Sequence, residues 1–185
     1  MGARPVRDTY RHGNVRADAI AAAYELVSAG GAEALSLRRV ADKVGVAHRS
    51  LYNHFADREA LLDAVAEVGF QDLAILLQAA ATQADYVRAY LTFALAHPAL
   101  YGIMESRPHA TMKLKPSLQR AVHLGITEAL RIFGRPGLSS TENRRAVMKV
   151  LVLLHGGLSM HGAGILDVEG DEGFIAELQA MIASA

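Results

Sequence analysis

Four polar side chains, His48, Arg49, Ser50 and Asn53, fall on one short stretch whose apolar members, Leu51 and Phe55, share the opposite face. A helix over His48 to Phe55 turns the four outward with no internal task, an arrangement suited to hydrogen-bonding the edges of DNA bases. A second set of residues suggests other chemistry. His97, His109, His123, His155 and His161 are candidate metal ligands, and His155 with Asp167 is a candidate hydrolytic base. The spacing argues against both. His155 and His161 are six residues apart, on different sides of a helix, and no His-x-x-x-His pair or acidic residue at i+3 or i+4 accompanies them. Packing, a polar pocket group or an interface is the better reading for these histidines, and neither metal nor cofactor is implied. No nucleophile with base and orienter and no phosphate loop is found, so an enzyme lacks its constellation.

The outward face needs a scaffold, and the residues just before it supply one. Ser36 is a good N-cap, and Leu37, Val40, Ala41 and Val44 at i, i+3, i+4 and i+7 make a narrow apolar stripe that leaves Arg38, Arg39, Asp42 and Lys43 in water. Gly45 then permits a chain reversal, because glycine reaches positive φ without a Cβ clash. Two short helices about a tight turn form a helix-turn-helix.

Leu51-Tyr52-Asn53-His54-Phe55-Ala56-Asp57-Arg58-Glu59-Ala60-Leu61 resembles the signature of the tetracycline-repressor (TetR) family of bacterial regulators. The resemblance covers residues 14 to about 70. Two positions depart from the usual pattern: Ala47 stands where the family often has a Ser or Thr cap, and Ala56 where it often has Pro. By this resemblance Tyr52, His54 and Arg58 occupy places used for phosphate. With Arg38, His48, Arg49, Ser50 and Asn53 they complete the expected DNA-binding set.

Length leaves room for a small reader domain plus a second domain, or for one larger domain. At 185 residues and 51% hydrophobic content the chain can bury a sizeable core, and with no cysteine it must stand on packing alone. No signal-like opening and no long apolar run occur, so the expectation is a soluble, cytoplasmic protein with no membrane partner. The net charge of zero conceals an asymmetry: residues 1–55 carry eight Arg/Lys against five acids, leaving +3 there and −3 in the remainder. A basic N-terminal domain suits phosphate.

The chain reads as all-α, with an arm and helix-turn-helix domain over 1–56, a connecting helix over 57–81 and a regulatory bundle over 82–185. Arg4, Arg7, Arg11 and His12 make a basic arm, either a solvated tail or a contact with the DNA backbone or minor groove. A first helix runs from about Asn14 to Gly30-Gly31. Asp57 caps the connecting helix, Asp85 caps the next, and Pro98 precedes a short helix over Leu100–Met104. Glu105 to Pro116, with Pro108, Lys113 and Lys115, reads as a loop. Leu118 to Phe133 follows as a helix, Ser139 and Glu142 open another as a capping box, and Asp171 starts the last. The stretches Tyr86-Val87-Arg88-Ala89-Tyr90 and His97-Pro98-Ala99-Leu100-Tyr101 also resemble a subgroup of TetR regulatory domains named for a Trp-His-Gly motif. Leu154-His155-Gly156 occupies that place here, without the Trp.

Two sites are expected in the bundle. Tyr90, Phe93, Ala94, Tyr101, Met104, Ile126, Leu130, Met148 and His155 converge from different helices and supply the lining of an apolar pocket with one polar group. Leu151, Leu154, Leu158, Phe174, Leu178 and Met181 form a face too wide for one small domain, and the resemblance implies that it joins two copies. The resulting expectation is a homodimeric regulator, a repressor by family resemblance, that binds pseudo-palindromic operator DNA and is released by a small hydrophobic effector. The alternative is an all-α enzyme or small-molecule carrier that keeps a helix-turn-helix-like pair.

Overall fold

Five of the helices among the described residues begin where a side chain satisfies an otherwise orphaned amide. Asn14 accepts from Ala17 N (3.1 Å) to open α1 (Val15–Gly30), and Ser36 accepts from Arg39 N (3.2 Å) to open α2 (Leu37–Val44). Gly45 turns the chain at φ 78°, in the left-handed region, and α3 (His48–Tyr52) follows. Asp57 accepts from Ala60 N (2.7 Å) at the head of α4 (Arg58–Gln78), whose 21 residues span about 31 Å. α5 (Gln83–Ala96), α6 (Pro98–Glu105), α7 (Pro116–Phe133), α8 (Ser140–Gly162) and α9 (Gly170–Ala183) complete the chain. This computed structural model describes residues 14–107 and 114–184; among them the protein is all-α, with one 3₁₀ turn at Ala32–Ala34 and no strand. The basic arm, Pro108, His109 and Lys113 lie outside the described residues.

Several boundaries differ from the sequence reading. α3 stops at Tyr52, because Asn53 N and His54 N bond back three residues to Ser50 O and Leu51 O and tighten the end into a turn. Phe55 nevertheless stays buried. Thr82, not Asp85, caps α5: its hydroxyl accepts from Asp85 N (3.1 Å) while the Asp85 carboxylate accepts from Thr82 N (2.9 Å). α6 begins at Pro98 itself, where the missing amide proton costs nothing in a first turn. The Ser139–Glu142 box opens α8 as expected. α9 starts at Gly170 with no side-chain cap, and Asp171 in its first turn instead faces His161 Nε2 at 3.0 Å.

One core runs through the protein, threaded by α4. Leu61, Leu62 and Val65 at its head pack with Val27, Val40, Leu51 and Phe55 of the first three helices, and Leu73 and Leu77 farther along join the bundle of α5 to α9. α7 has the broadest contact with α4. Gly69 is where α6 presses closest: a Cβ there would meet Met104 Sδ at 2.7 Å and Leu100 Cδ1 at 3.1 Å. No helix among the described residues is long and apolar enough to cross a membrane.

Candidate functional site

The N-terminal surface is built by burying one side of α3. Leu51 is fully buried and Phe55 2% exposed, which fixes the helix against α1 and α2 and turns His48, Arg49, Tyr52 and Asn53 to solvent along one arc. His54 is exposed just beyond, and Arg38 is exposed on α2. Ser50 is only half-buried, at the edge of this arc. The His48 and Tyr52 rings meet edge to face at 5.2 Å, one helical turn apart. Ala47 gives α3 no side-chain cap, so its first amides are held by packing and by Ser50 N bonding to Ala47 O (2.8 Å).

Arg58, expected at phosphate, also makes contacts within the protein. Its Nε donates to Leu35 O (3.0 Å), one Nη to Ala32 O (2.7 Å) and the other to Glu59 Oε1 (3.0 Å). The guanidinium is thereby tied to the backbone leading into α2, while its side chain stays 37% exposed. The planar fork of arginine suits this: several carbonyls and a carboxylate are held from one rigid group.

A relay of ionic contacts continues from there into the bundle. Glu59 Oε2 accepts from Arg107 Nη1 (2.9 Å), and the same Nη1 reaches Asp63 Oδ1 (3.3 Å); Lys115 also pairs with Asp63. Arg107 is 9% and Asp63 15% exposed, so that pair is weakly screened, whereas Glu59 is 57% exposed and its contact is screened by solvent. Arg107 also lines a cavity.

That cavity, about 220 Å³, lies among five helices. Phe70, Leu73 and Leu77 of α4, Val122, Gly125 and Ile126 of α7, Met104 of α6 and Leu151 of α8 form its apolar wall; Tyr86, Tyr90, Glu105, Arg107 and His155 supply the polar groups. At its polar end Tyr90 Oη lies 3.2 Å from Tyr101 Oη, and the two hydroxyls lie 3.4 and 3.3 Å from His155 Nδ1. His155 Nε2 is 3.0 Å from Glu105 Oε2. Burial pushes the Tyr90 and Tyr101 phenols well above their ordinary value, so both keep their protons and act as hydrogen-bonding groups, not as phenolates. Burial likewise raises Tyr86. On the far side of this polar cluster a more open hollow of about 460 Å³ is lined by Ala94, Tyr101, Leu158 and Ser159 and shares Glu105 and His155.

Of the residues assigned to the pocket from sequence, Tyr90, Met104, Ile126 and His155 line the inner cavity, and Ala94 and Tyr101 the outer hollow. Phe93 lines neither; it is buried with its ring 5.2 Å from His97. Leu130 and Met148 are exposed, at 39% and 56%, on the outer sides of their helices. The sequence reading missed Phe70, Leu73 and Leu77, although their i, i+3, i+7 spacing continues the stripe of α4. It also missed Glu105, which follows Tyr101 by one helical turn.

The residues assigned to a seam between copies divide by burial. Leu154 and Phe174 are fully buried and Leu178 is 3% exposed, all inside this chain's own core, where Leu178 packs on Gly157. Leu151 and Leu158 are half-buried, and Met181 is exposed. The exposed apolar line on α8 is Met148, Val152 and Met160, with Gly156 between them. His161 is held by Asp171 and stacks on Phe174 at 4.3 Å. Among the described residues no group of three or more His, Asp or Glu could hold a metal.

Residues 19–65 match the family model for bacterial regulatory proteins of the tetR family, and residues 83–182 match the model for a tetracyclin repressor-like C-terminal domain. Over 48 residues the chain is 48% identical to the tetracycline repressor protein class C of Escherichia coli; the match spans 26% of this chain and 22% of that repressor. A protein with unknown function from Rhodococcus sp. RHA1 has a similar structure, with TM-score 0.75 and 28% identity over 95% of this chain and 97% of its own. A single-residue variant of TetR from Acinetobacter baumannii AYE in complex with minocycline shares the fold, with TM-score 0.65 and 23% identity over 91% and 94% of the two chains.

Proposed function

Because this chain belongs to the tetR family of bacterial regulatory proteins, which are DNA-binding transcriptional regulators, we propose that it is a homodimeric repressor released from its operator by a small hydrophobic effector. The observation that carries this reading is the relay from the cavity to α2: Arg107, on the cavity wall, grips Glu59 and Asp63 at the head of α4, and Arg58 beside them grips the backbone before α2. A ligand that displaces Arg107 therefore pulls on the element that positions the DNA-reading surface. Residues 1–56 would read the DNA, 57–81 connect, and 82–185 sense.

Arg49, His48 and Asn53 would contact base edges, with Ser50 at the margin, while Arg38, Tyr52 and His54 would meet phosphate. Two copies would pair along the Met148, Val152 and Met160 line of α8 with Met181 of α9, bringing Leu151 and Leu158 to the seam margin, so that two-fold protein symmetry meets a pseudo-palindromic site. The protein would act by binding and not by turnover, in the cytoplasm where its DNA lies.

The test is a mobility-shift titration of the purified protein on the DNA upstream of its own gene. Retardation by the protein, lost in a variant with Arg49, Tyr52 and His54 all replaced by Ala, supports the reading; equal retardation by that variant excludes α3 as the reader.

A further inference from the structure

Resting on the assignment of the inner cavity as the effector site, we infer that the effector is a single-ring-sized, largely apolar molecule bearing a hydroxyl or amine that donates a hydrogen bond to Glu105. Molecules of the same size that offer only acceptors are discriminated against.

Size follows from volume. At about 220 Å³ the cavity lies between the roughly 150 Å³ that accepts benzene and the roughly 300 Å³ at which pockets for drug-sized ligands begin. Its wall is otherwise aliphatic and aromatic.

Polarity follows from a count of protons. Glu105 is acceptor-only, and its Oε2 at 3.0 Å from His155 Nε2 assigns the imidazole proton to Nε2. Nδ1 is then an acceptor. One of the two phenols at 3.3 and 3.4 Å donates to it, and the other donates to the first phenol's oxygen at 3.2 Å. Each proton in the cluster thus has an acceptor within the cluster. What remains is acceptor capacity, above all the further lone pairs of the Glu105 carboxylate. Arg107 is a small counterweight: four of its five N–H donors are committed, Nε to Ile103 O, both of Nη1 to Glu59 and Asp63 and one of Nη2 to Ser106 Oγ, which leaves a single Nη2 proton against the several lone pairs of Glu105. Tyr86, also on the wall, can give or accept and so does not discriminate. A ligand with a donor adds a hydrogen bond to the Glu105 carboxylate, whose side chain is 35% exposed; an ether or ester of the same shape displaces water from its cavity-facing side and offers it no donor.

The test uses 4-alkylphenols, methyl to butyl, and 4-alkylanisoles, each ether compared with the phenol of equal heavy-atom number, by calorimetry and thermal shift on the full chain. The phenols should bind about tenfold or more tighter than the matched ethers, since a hydrogen bond to a charged acceptor is among the stronger kinds. Glu105→Gln should compress that preference to about threefold or less, and Tyr86→Phe should preserve it. Ethers that bind as tightly as phenols would overturn the donor requirement while leaving the cavity as the effector site. A preference that survives in Glu105→Gln would overturn the assignment to Glu105. Binding of neither series, to wild type or variants, would overturn the effector-site reading and the donor requirement together.

Discussion

The proposed DNA-reading surface and the proposed effector cavity are built in opposite ways. The first is local: α3 is five residues long, its buried anchor Leu51 lies between its exposed His48 and Tyr52, and the helices it packs on, α1 and α2, precede it directly in the chain. The second is assembled from α4, α5, α6, α7 and α8, and its polar end joins groups distant in sequence: Tyr90 and His155 are 65 residues apart. A surface of the first kind can vary in its exposed residues without moving its frame. A cavity of the second kind changes shape when any wall moves, which is what a sensor requires.

The largest effects should come from breaking the two frames separately. Leu51→Ala and Leu154→Ala each empty a fully buried site and should cost about 2–5 kcal/mol in chemical denaturation. At temperatures where each variant remains folded, Leu51→Ala should weaken operator binding far more than alkylphenol binding, and Leu154→Ala the reverse. Equal losses of both functions in both variants would show that the regions do not differ in this way.

Next comes a contrast within the reader itself. Arg49→Ala should weaken operator binding by about 1–3 kcal/mol at its own base pair and leave the melting temperature nearly unchanged. Arg58→Ala should do the opposite in kind. Losing charged donors to Ala32 O and Leu35 O should cost about 1–2 kcal/mol of stability, discounted from the usual range for partial exposure, with DNA affinity falling only as far as α2 loosens. Melting and gel-shift measurements on both variants separate the roles.

A smaller effect is expected where the two regions meet. Burial raises the Asp72 carboxyl above its ordinary value, an effect partly offset by the nearby His97. The folded state therefore holds this proton more tightly than the unfolded chain, so Asp72 disfavours the fold at neutral pH and stability recovers as pH falls through its folded value toward 3.8. Asp72→Asn should raise the melting temperature slightly at pH 7 and by less near pH 4. The capping carboxylates run the other way. Asp85 and Glu142 are lowered, first by the hydroxyls of Thr82 and Ser139, so their contribution is complete above their unfolded values of 3.8 and 4.5 and fades as pH drops through the folded ones. Glu142→Gln should flatten the acid limb of the melting curve.

The same contrast explains what could be read from the chain unaided. Ser36, Gly45, Leu51 and Phe55 announce their roles because cap, turn and inner face are set by neighbours a few residues away. In the bundle, a helical stripe says that a residue is apolar but not which neighbour it meets. Leu154, Phe174 and Leu178 have the same spacing whether they cover this chain's core or a second copy, and they turn out to cover the core. Met148 and Leu130 lie one step around their helices from cavity residues Leu151 and Ile126, and that step turns them outward. Glu105 sits at the end of α6 and reads from sequence as the start of a loop; only the approach of α8 makes it the partner of His155.

We propose that cavity and DNA are coupled through Arg107. The direct test is to titrate the tightest-binding 4-alkylphenol into free protein and into the operator complex, for wild type and for Arg107→Ala. Wild-type protein should bind the phenol about 5- to 150-fold more weakly when on the operator, and the phenol should lower operator affinity by the same factor. In Arg107→Ala that factor should fall toward one, while both ligands still bind. Equal phenol affinity for free and operator-bound wild-type protein would contradict the claim, however tightly the compound bound.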